Sequence, residues 1–377
     1  MLRITEYIRD SLMGNPVRPN RGVILIWNLT HRCNLRCRHC YSSASPRPGP
    51  ELSLAECLAL IPVLRAIGVR FAILSGGEPL THKHLYEIVA GLKSAGIRTY
   101  LSTNGLLIDE KSVGRIAAEF DYVGISLDGT PEVHDRFRGK RGAFQRSLRA
   151  VELCLERDIR LGVRFTITPM TRESLPFLFR LAEELQVPKV YVSHLVYSGR
   201  GQALSALSPQ DERNATEYIL DRAFQYVEEG RAIDVVTGNN EADAVLLLRR
   251  FAQRHPSQAH RLEDRLVRWG GNQAGVRMLN INSRGEVRPD PFFAHSVGNV
   301  RDDPLDELWR SSPLLRRLRH RSQELQGPCR NCPHLAICNG NSRARSQATT
   351  GDYFSSDPAC YLLPLPGSSQ ERRCGTR

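Results

Sequence analysis

Between Val23 and Leu195 one unit recurs along the chain: a short apolar run, a polar turn, then apolar residues at helical spacing. Six such runs, Val23–Leu29, Val69–Leu74, Ile97–Leu101, Tyr122–Leu127, Leu161–Ile167 and Val190–Leu195, read as strands. The segments between them, Leu54–Gly68, Leu85–Ala95, Asp109–Phe120, Phe144–Arg157 and Leu175–Leu185, read as helices. Ser53 with Glu56 three residues on is a capping box that opens the first of these helices. Strands alternating with helices demand a parallel sheet joined by right-handed crossovers, so the fold class is α/β. In such folds ligands sit at the C-terminal ends of the strands.

The loop leaving the first strand carries Cys33-x3-Cys37-x2-Cys40, flanked by His31, His39 and Tyr41. A [4Fe-4S] cube normally takes four thiolates, so a compact triplet leaves one iron open to a small molecule. The competing reading is a zinc ion that borrows His31 or His39 as its fourth ligand. A second set, Cys329-x2-Cys332-x5-Cys338 with Cys360 after a loop, is complete for either a cluster or a four-thiolate zinc. Of the ten cysteines, Cys57 and Cys154 fall mid-helix and read as buried thiols, and Cys374 lies in a Gly/Arg/Ser tail.

So many cysteines without an N-terminal signal sequence point to metal binding in a reducing compartment, and a cytoplasmic location is expected. No apolar run approaches the length of a membrane span. The net charge of +12 calls for an anionic partner. Its densest run, Arg316 to Arg321, reads as a solvated helix face.

Other polar groups gather at strand ends. Gly76-Gly77-Glu78-Pro79 follows the second strand, Asn104 the third, and Ser126 and Asp128 the fourth. Glycines let backbone approach a ligand closely and Glu78 could hold an ammonium group, although an ordinary turn fits as well. Asp128-Gly129 also suits an Asx turn. Arg164 sits within the apolar run Val163–Ile167, where a buried guanidinium needs an anion. His194, Tyr197 and Arg200 close the sixth strand, with a core histidine and a surface arginine as the plainer alternatives.

The triplet followed one β/α unit later by Gly76-Gly77-Glu78-Pro79 resembles the radical S-adenosylmethionine (radical SAM) superfamily. The resemblance implies a partial (β/α)6 barrel over residues 23–202 and a SAM-binding [4Fe-4S] cluster on Cys33, Cys37 and Cys40. It further implies SAM contacts from Gly76, Gly77, Glu78, Pro79, Asn104, Ser126 and Asp128, with Arg138 and Arg164 as candidates for the SAM carboxylate. His194, Tyr197 and Arg200 would face a substrate lying over the SAM.

Residues 277–362, with a hairpin at Arg277–Ile281 and Glu286–Arg288, resemble the SPASM iron-sulfur extension of these enzymes. That implies an auxiliary [4Fe-4S] cluster on Cys329, Cys332, Cys338 and Cys360. A second auxiliary cluster is not expected, because Asp290 and Ser342 stand where that family has cysteines. Residues 1–22 are expected to be a short helix, Thr5–Met13, with a linker, residues 203–276 a helical connection, and 363–377 a disordered tail.

The phrases Ile26-Trp27-Asn28-Leu29-Thr30, Gly162-Val163-Arg164-Phe165-Thr166 and Ile337-Cys338-Asn339-Gly340-Asn341 resemble the NirJ family of heme d1 biosynthesis. That resemblance implies an anionic iron tetrapyrrole, didecarboxysiroheme, whose two propionate side chains are replaced by oxo groups. It implies a 5′-deoxyadenosyl radical as the hydrogen abstractor and a low-potential reductant such as a flavodoxin or ferredoxin as electron donor. Alternatives are a related heme-pathway enzyme that removes acetate groups to give iron-coproporphyrin, or a maturase of ribosomal peptides. Neither a membrane nor a nucleic acid is expected as a partner.

Overall fold

A computed structural model describes residues 1–17, 22–47 and 49–362. Residues 363–377, with Cys374, lie outside the described residues. The strands in chain order are β1 (Leu2–Arg3), β2 (Val23–Thr30), β3 (Val69–Gly76), β4 (Arg98–Thr103), β5 (Tyr122–Ser126), β6 (Leu161–Ile167), β7 (Lys189–His194), β8 (Asp234–Gly238), β9 (Met278–Ile281), β10 (Glu286–Arg288) and β11 (Gly298–Asn299). They form one eleven-stranded sheet in the order β1-β8-β7-β6-β5-β4-β3-β2-β9-β10-β11. From β2 to β8 every pairing is parallel. The edges do not meet, since β2 takes β9 as its outer neighbour and β8 takes β1, so the barrel is partial.

The helices before residue 270 are α1 (Ile4–Met13), α2 (Leu54–Ala66), α3 (Leu85–Ser94), α4 (Val113–Glu119), α5 (Pro131–Arg138), α6 (Ala143–Glu156), α7 (Leu175–Glu184), α8 (Pro209–Glu228), α9 (Ala242–Arg254) and α10 (Ala259–Trp269), and four short ones follow β11. The capping box of α2 is formed as read, with Ser53 and Glu56 each accepting the other's backbone N–H. No helix among the described residues is long and apolar enough to cross a membrane.

Strand alternation sorts the side chains into two shells. Leu25 and Trp27 of β2, Val123 and Ile125 of β5, Val163 and Phe165 of β6 and Val190 and Val192 of β7 are buried in the main apolar core. Their strand neighbours Ile24, Tyr122, Gly124, Arg164 and Tyr191 line the hollow of the barrel. Each fully buried Val, Leu or Phe of this core contributes about 1.5–3 kcal/mol, which makes the outer shell the main support of the sheet.

Three readings need correction. The connection 203–276 is not purely helical: Asp234–Gly238 joins the sheet as β8, parallel to β7. The signal was present, for Ile233–Thr237 is a short β-rich run followed by Gly238-Asn239-Asn240. Leu2–Arg3 pairs antiparallel with β8, so the N-terminal helix is preceded by a strand. The hairpin β9–β10 is formed as read, but β9 lies parallel beside β2, so the boundary at 277 runs through a continuous sheet.

The basic run divides in two. Arg316 and Arg317 are exposed, as a solvated face requires. Arg321 is 1% exposed and donates to Leu318 O, Asn272 Oδ1 and Ala274 O, each at 2.7 Å. Burial pulls its guanidinium down to about 9. Carbonyl acceptors fixed by the fold replace the solvent that a surface arginine would have.

Candidate active site and cluster sites

The cysteine loop is held from every side at the C-terminal end of the sheet. Asn104 after β4 donates from Nδ2 to Asn34 Oδ1 (2.7 Å), and Arg200 donates to Cys37 O and Ala44 O (both 2.8 Å). The backbone N–H groups of Arg36 and Arg38 bond the carbonyls of Arg138 and Phe137 at the end of α5. Tyr41 donates to Asn28 Oδ1 (3.1 Å) and stands edge-on to Phe292, with ring centroids 5.3 Å apart. Sequence reasoning gave Tyr41 no role, although a tyrosine directly after the last cysteine, with asparagine and serine at nearby strand ends, was the available signal.

Cys33 and Cys37 are buried, Cys40 is half-buried, and none is in a disulfide. Burial pushes the Cys33 thiol up to about 12 and raises Cys37 despite Arg138 beside it. Bare thiolates are therefore costly here, and bound iron would supply the positive charge that displaces their protons. His39 is stacked on Phe137, with ring centroids 4.4 Å apart, and His31 is half-buried at the start of the loop.

The glycine pair has a specific use. A Cβ on Gly76, whose φ is +139°, would lie 2.4 Å from Thr30 O, and one on Gly77 would lie 2.2 Å from Arg32 O. Gly77 and Glu78 donate their N–H groups to those same carbonyls at 2.7 and 2.8 Å. The pair thus admits the end of β3 against the backbone of the cysteine loop. Glu78 is fully buried, and its carboxylate accepts from Thr103 Oγ1 (2.7 Å), Asn104 N (2.8 Å) and Leu80 N (3.2 Å). Burial still raises it to about 7. The Glu78 carboxylate fixes the turn at Asn104, while Pro79 opens a short 3-10 turn behind it.

Asp128 and Arg138 are each other's partners. Asp128 is 0% exposed, takes Nε of Arg138 at 2.6 Å and accepts from Thr166 N at 2.7 Å. Burial would push its carboxyl up, but the guanidinium outweighs that and holds it below the usual range. Arg138 also reaches Cys37 Sγ at 3.6 Å. This pairing holds the two side chains read as contacts for the SAM ribose and carboxylate against each other at the end of β5. Breaking such a buried pair from one side costs about 3–5 kcal/mol. Ser126, half-buried, shares the strand parity of Tyr122 and Gly124, and Arg164 donates to Ser102 Oγ with its guanidinium 5.3 Å from the Tyr191 ring centre.

The three substrate-facing readings fare differently. His194 shares the outward face of β7 with Val190 and Val192, so strand parity turns it away from the hollow. Its side chain is fully buried between Glu212 on α8 and Asp243 on α9, the latter at 3.0 Å. Burial alone would lower its pKa; the two carboxylates raise it to about 10 and keep it an imidazolium. Arg200 braces the cysteine loop. Tyr197 is half-buried, with Arg345, Glu212 and Asp357 near enough to bias its hydroxyl.

The second cysteine set is tied to the barrel through residues that sequence reasoning passed over. Arg345 makes a two-point pair with Asp357 (2.8 Å on each oxygen) and donates to Leu195 O and Asn239 O. Asn240 in the turn after β8 holds Ala359 O at 3.1 Å, and Tyr361 donates to Asp243 in the first turn of α9 at 2.8 Å, so both neighbours of Cys360 are pinned to the chain that follows β8. Cys329 and Cys338 are buried, and Cys332 and Cys360 half-buried. Burial drives the Cys338 thiol well above its normal value and Cys360 to about 11. Bound iron would supply the charge that displaces their protons, as for the first set. Cys57 and Cys154 are also buried and raised to about 12, with no second cysteine beside them, as inert thiols should be.

Where a further auxiliary cluster would need cysteines, the chain has local structural roles instead. Ser342 caps the helix Arg343–Thr350, and Asp290 turns the chain by accepting from Phe292 N at 2.7 Å. Burial raises Asp290 from 3.8 to about 7. A carboxyl raised by folding takes up a proton on folding, so its contribution is greatest below the unfolded value and declines until the folded value is passed. Asp290→Asn is therefore expected to gain stability over the parent as pH rises from about 4 to 7. The slope is about 1.4 kcal/mol per pH unit, read as the difference in urea midpoints of the metal-free proteins.

Comparison with known proteins fits this geometry. Residues 27–182 match the Radical SAM superfamily, and residues 273–333 match SPASM, an iron-sulfur cluster-binding domain. The pre-heme d1 synthase of Dinoroseobacter shibae is 39% identical over 96% of this chain and 92% of that protein. The chain belongs to the radical SAM superfamily. It is an enzyme that uses SAM and [4Fe-4S] clusters, with a SPASM-type C-terminal domain. The Fe-coproporphyrin III synthase of Methanosarcina barkeri is 38% identical over 90% of this chain and 88% of its own length. The fold is also that of Streptococcus suis SuiB crystallised with SAM, with a TM-score of 0.70 and 18% identity over 90% of this chain and 77% of that one.

Proposed function

We propose that this radical SAM enzyme acts on didecarboxysiroheme and converts two propionate side chains to oxo groups, as a synthase of the heme d1 precursor. The observation that carries the reading is the 39% identity to the Dinoroseobacter shibae pre-heme d1 synthase, sustained over 96% of the chain. The net charge of +12 suits a substrate bearing several carboxylates. Removal of acetate groups to give iron-coproporphyrin is the second reading, favoured by the 38% identity to the Methanosarcina enzyme.

In this reading Cys33, Cys37 and Cys40 hold the SAM-binding cluster, and Cys329, Cys332, Cys338 and Cys360 hold one auxiliary cluster. With SAM bound, the first cluster supplies a carbon radical able to take hydrogen from an unactivated side chain. The chain's own residues make that usable. Asn104 and Arg200 fix the loop that presents the three sulfurs. Arg138, anchored by Asp128, places positive charge against Cys37. Ser126 and Asn104 remain candidates for SAM contact at the strand ends, and a low-potential flavodoxin or ferredoxin is the proposed donor.

The test is anaerobic reconstitution with iron and sulfide, reduction, and assay of 5′-deoxyadenosine from SAM with and without didecarboxysiroheme, reading the tetrapyrrole mass in parallel. Loss of propionate mass with substrate-stimulated deoxyadenosine is the expected result. Loss of acetate mass would move the enzyme to the coproporphyrin pathway. Iron-loaded protein that makes no deoxyadenosine in either case would sink the tetrapyrrole reading and direct the search to peptides.

A further inference from the structure

The solvent side of the cysteine loop is strongly basic. Arg36 and Arg38, on either side of Cys37, are both exposed. Their backbone N–H groups bond the carbonyls of Arg138 (3.3 Å) and Phe137 (2.9 Å), and a Cβ on Gly139 would lie 2.8 Å from Arg36 O. This close approach brings the end of α5 and the turn after it, with exposed Arg136, Lys140 and Arg141, alongside the two loop arginines. Arg138 between them is buried and turned toward Asp128 and Cys37. Among the described residues none of the five exposed side chains forms an ion pair or a hydrogen bond.

The acids nearby do not offset them. Asp135 is half-buried and accepts from the N–H groups of Gly142 and Phe144, and Glu132 stands back in the first turn of α5. A cation in the last turn of a helix stabilises that end, which accounts for Arg136. It does not account for Lys140 and Arg141 beyond the helix, or for Arg36 and Arg38 on a loop. The second cysteine set has no comparable face: of the residues directly flanking its four cysteines, Arg330 alone is basic. Unpaired like charges gathered on one face concentrate positive potential there and speed the approach of an acidic partner.

Resting on the external electron donor of the proposed function, and not on its tetrapyrrole, we propose that this face is the docking surface for an acidic one-electron carrier protein. A protein is too large to enter the barrel, so it must deliver its electron across the outside of the loop. Cys33 and Cys37 are 8% and 7% exposed, which places their sulfurs just beneath that surface. Arg36 and Arg38 receive the carrier's acidic face over Cys37, and Arg136, Lys140 and Arg141 widen the contact. The carrier is oxidised by one electron and the SAM-binding cluster on the three cysteines is reduced by one, with no bond made or broken at the interface. None of the five residues lies at a strand end, so donor and substrate need not compete.

The experiment is calorimetric titration of an acidic flavodoxin, and in parallel an acidic ferredoxin, both oxidised, into the anaerobically reconstituted enzyme at low and at physiological salt. Arg136→Gln, Lys140→Gln and Arg141→Gln combined are expected to raise the carrier's Kd at least about ten-fold at low salt and to flatten its dependence on salt. Arg157→Gln, Arg160→Gln and Arg316→Gln combined remove the same charge from exposed positions elsewhere and should leave Kd nearly unchanged. Formation of 5′-deoxyadenosine driven by the reduced carrier should fall in the first variant and recover as carrier concentration is raised. Iron content and far-ultraviolet circular dichroism confirm that each variant is loaded and folded. An unchanged Kd in the first variant, an equal rise in the second, or no binding of either carrier by the parent would overturn this face as the docking surface. Failure of photoreduced deazaflavin, a small donor that needs no docking, to drive 5′-deoxyadenosine formation in the parent would overturn the donor reading with it.

Discussion

Replacing Cys33, Cys37 and Cys40 together by alanine is expected to abolish 5′-deoxyadenosine formation completely while sparing the second cluster. Each sulfur is carried by a loop whose backbone is fixed by Asn104, Arg200 and the end of α5, so the loop should keep its course without them. Iron content should fall from about eight to about four per chain, with the remaining absorbance and paramagnetic signal belonging to the C-terminal set. Replacing Cys57 should leave the iron count unchanged, since its buried thiol has no cysteine neighbours to share a cluster. Retention of all eight irons by the triple variant would remove these three residues as ligands.

The second large effect concerns stability. His194→Ala is expected to cost about 3–5 kcal/mol, because it leaves the carboxylates of Glu212 and Asp243 facing each other in the core without a counter-charge. The pH dependence follows from the raised value. A histidine held near 10 when folded and near 6.5 when unfolded gives its full contribution below about pH 6.5 and loses it as pH rises toward 10. The gap between parent and variant in urea denaturation should therefore be widest at mildly acidic pH and shrink through the alkaline range. A constant gap would mean that the imidazolium is not what holds the two acids.

The repeated strand-helix unit was legible because its strands are apolar on both faces or nearly so, and the turn glycines mark their ends. The cysteine sets were legible because thiolate spacing is local. What the sequence concealed was parity and pairing. His194 is one residue out of phase with Ser193, which faces the hollow, and from an apolar strand end alone the inward and outward sides look alike. Asp128 and Arg138 were each read as a ligand contact, but the chain brings them together across ten residues of turn and helix, and each satisfies the other. Arg345 and Asp357 were invisible for the same reason, as charged residues in a polar segment whose burial depends on contacts with Leu195 and Asn239 far back in the chain.

The position of β9 beside β2 also has a consequence for how the protein is made. The outer edge of β2 is apolar and, from Ile24 to Trp27, is paired only by Met278–Ile281. That closing strand leaves the ribosome about 250 residues later, which at ~5–20 residues per second is roughly ten to fifty seconds. For that interval the nascent barrel carries an open strand edge able to pair with another chain. Slow synthesis or chain termination before residue 278 should therefore send the product toward aggregation, and chaperone dependence should be concentrated in this window.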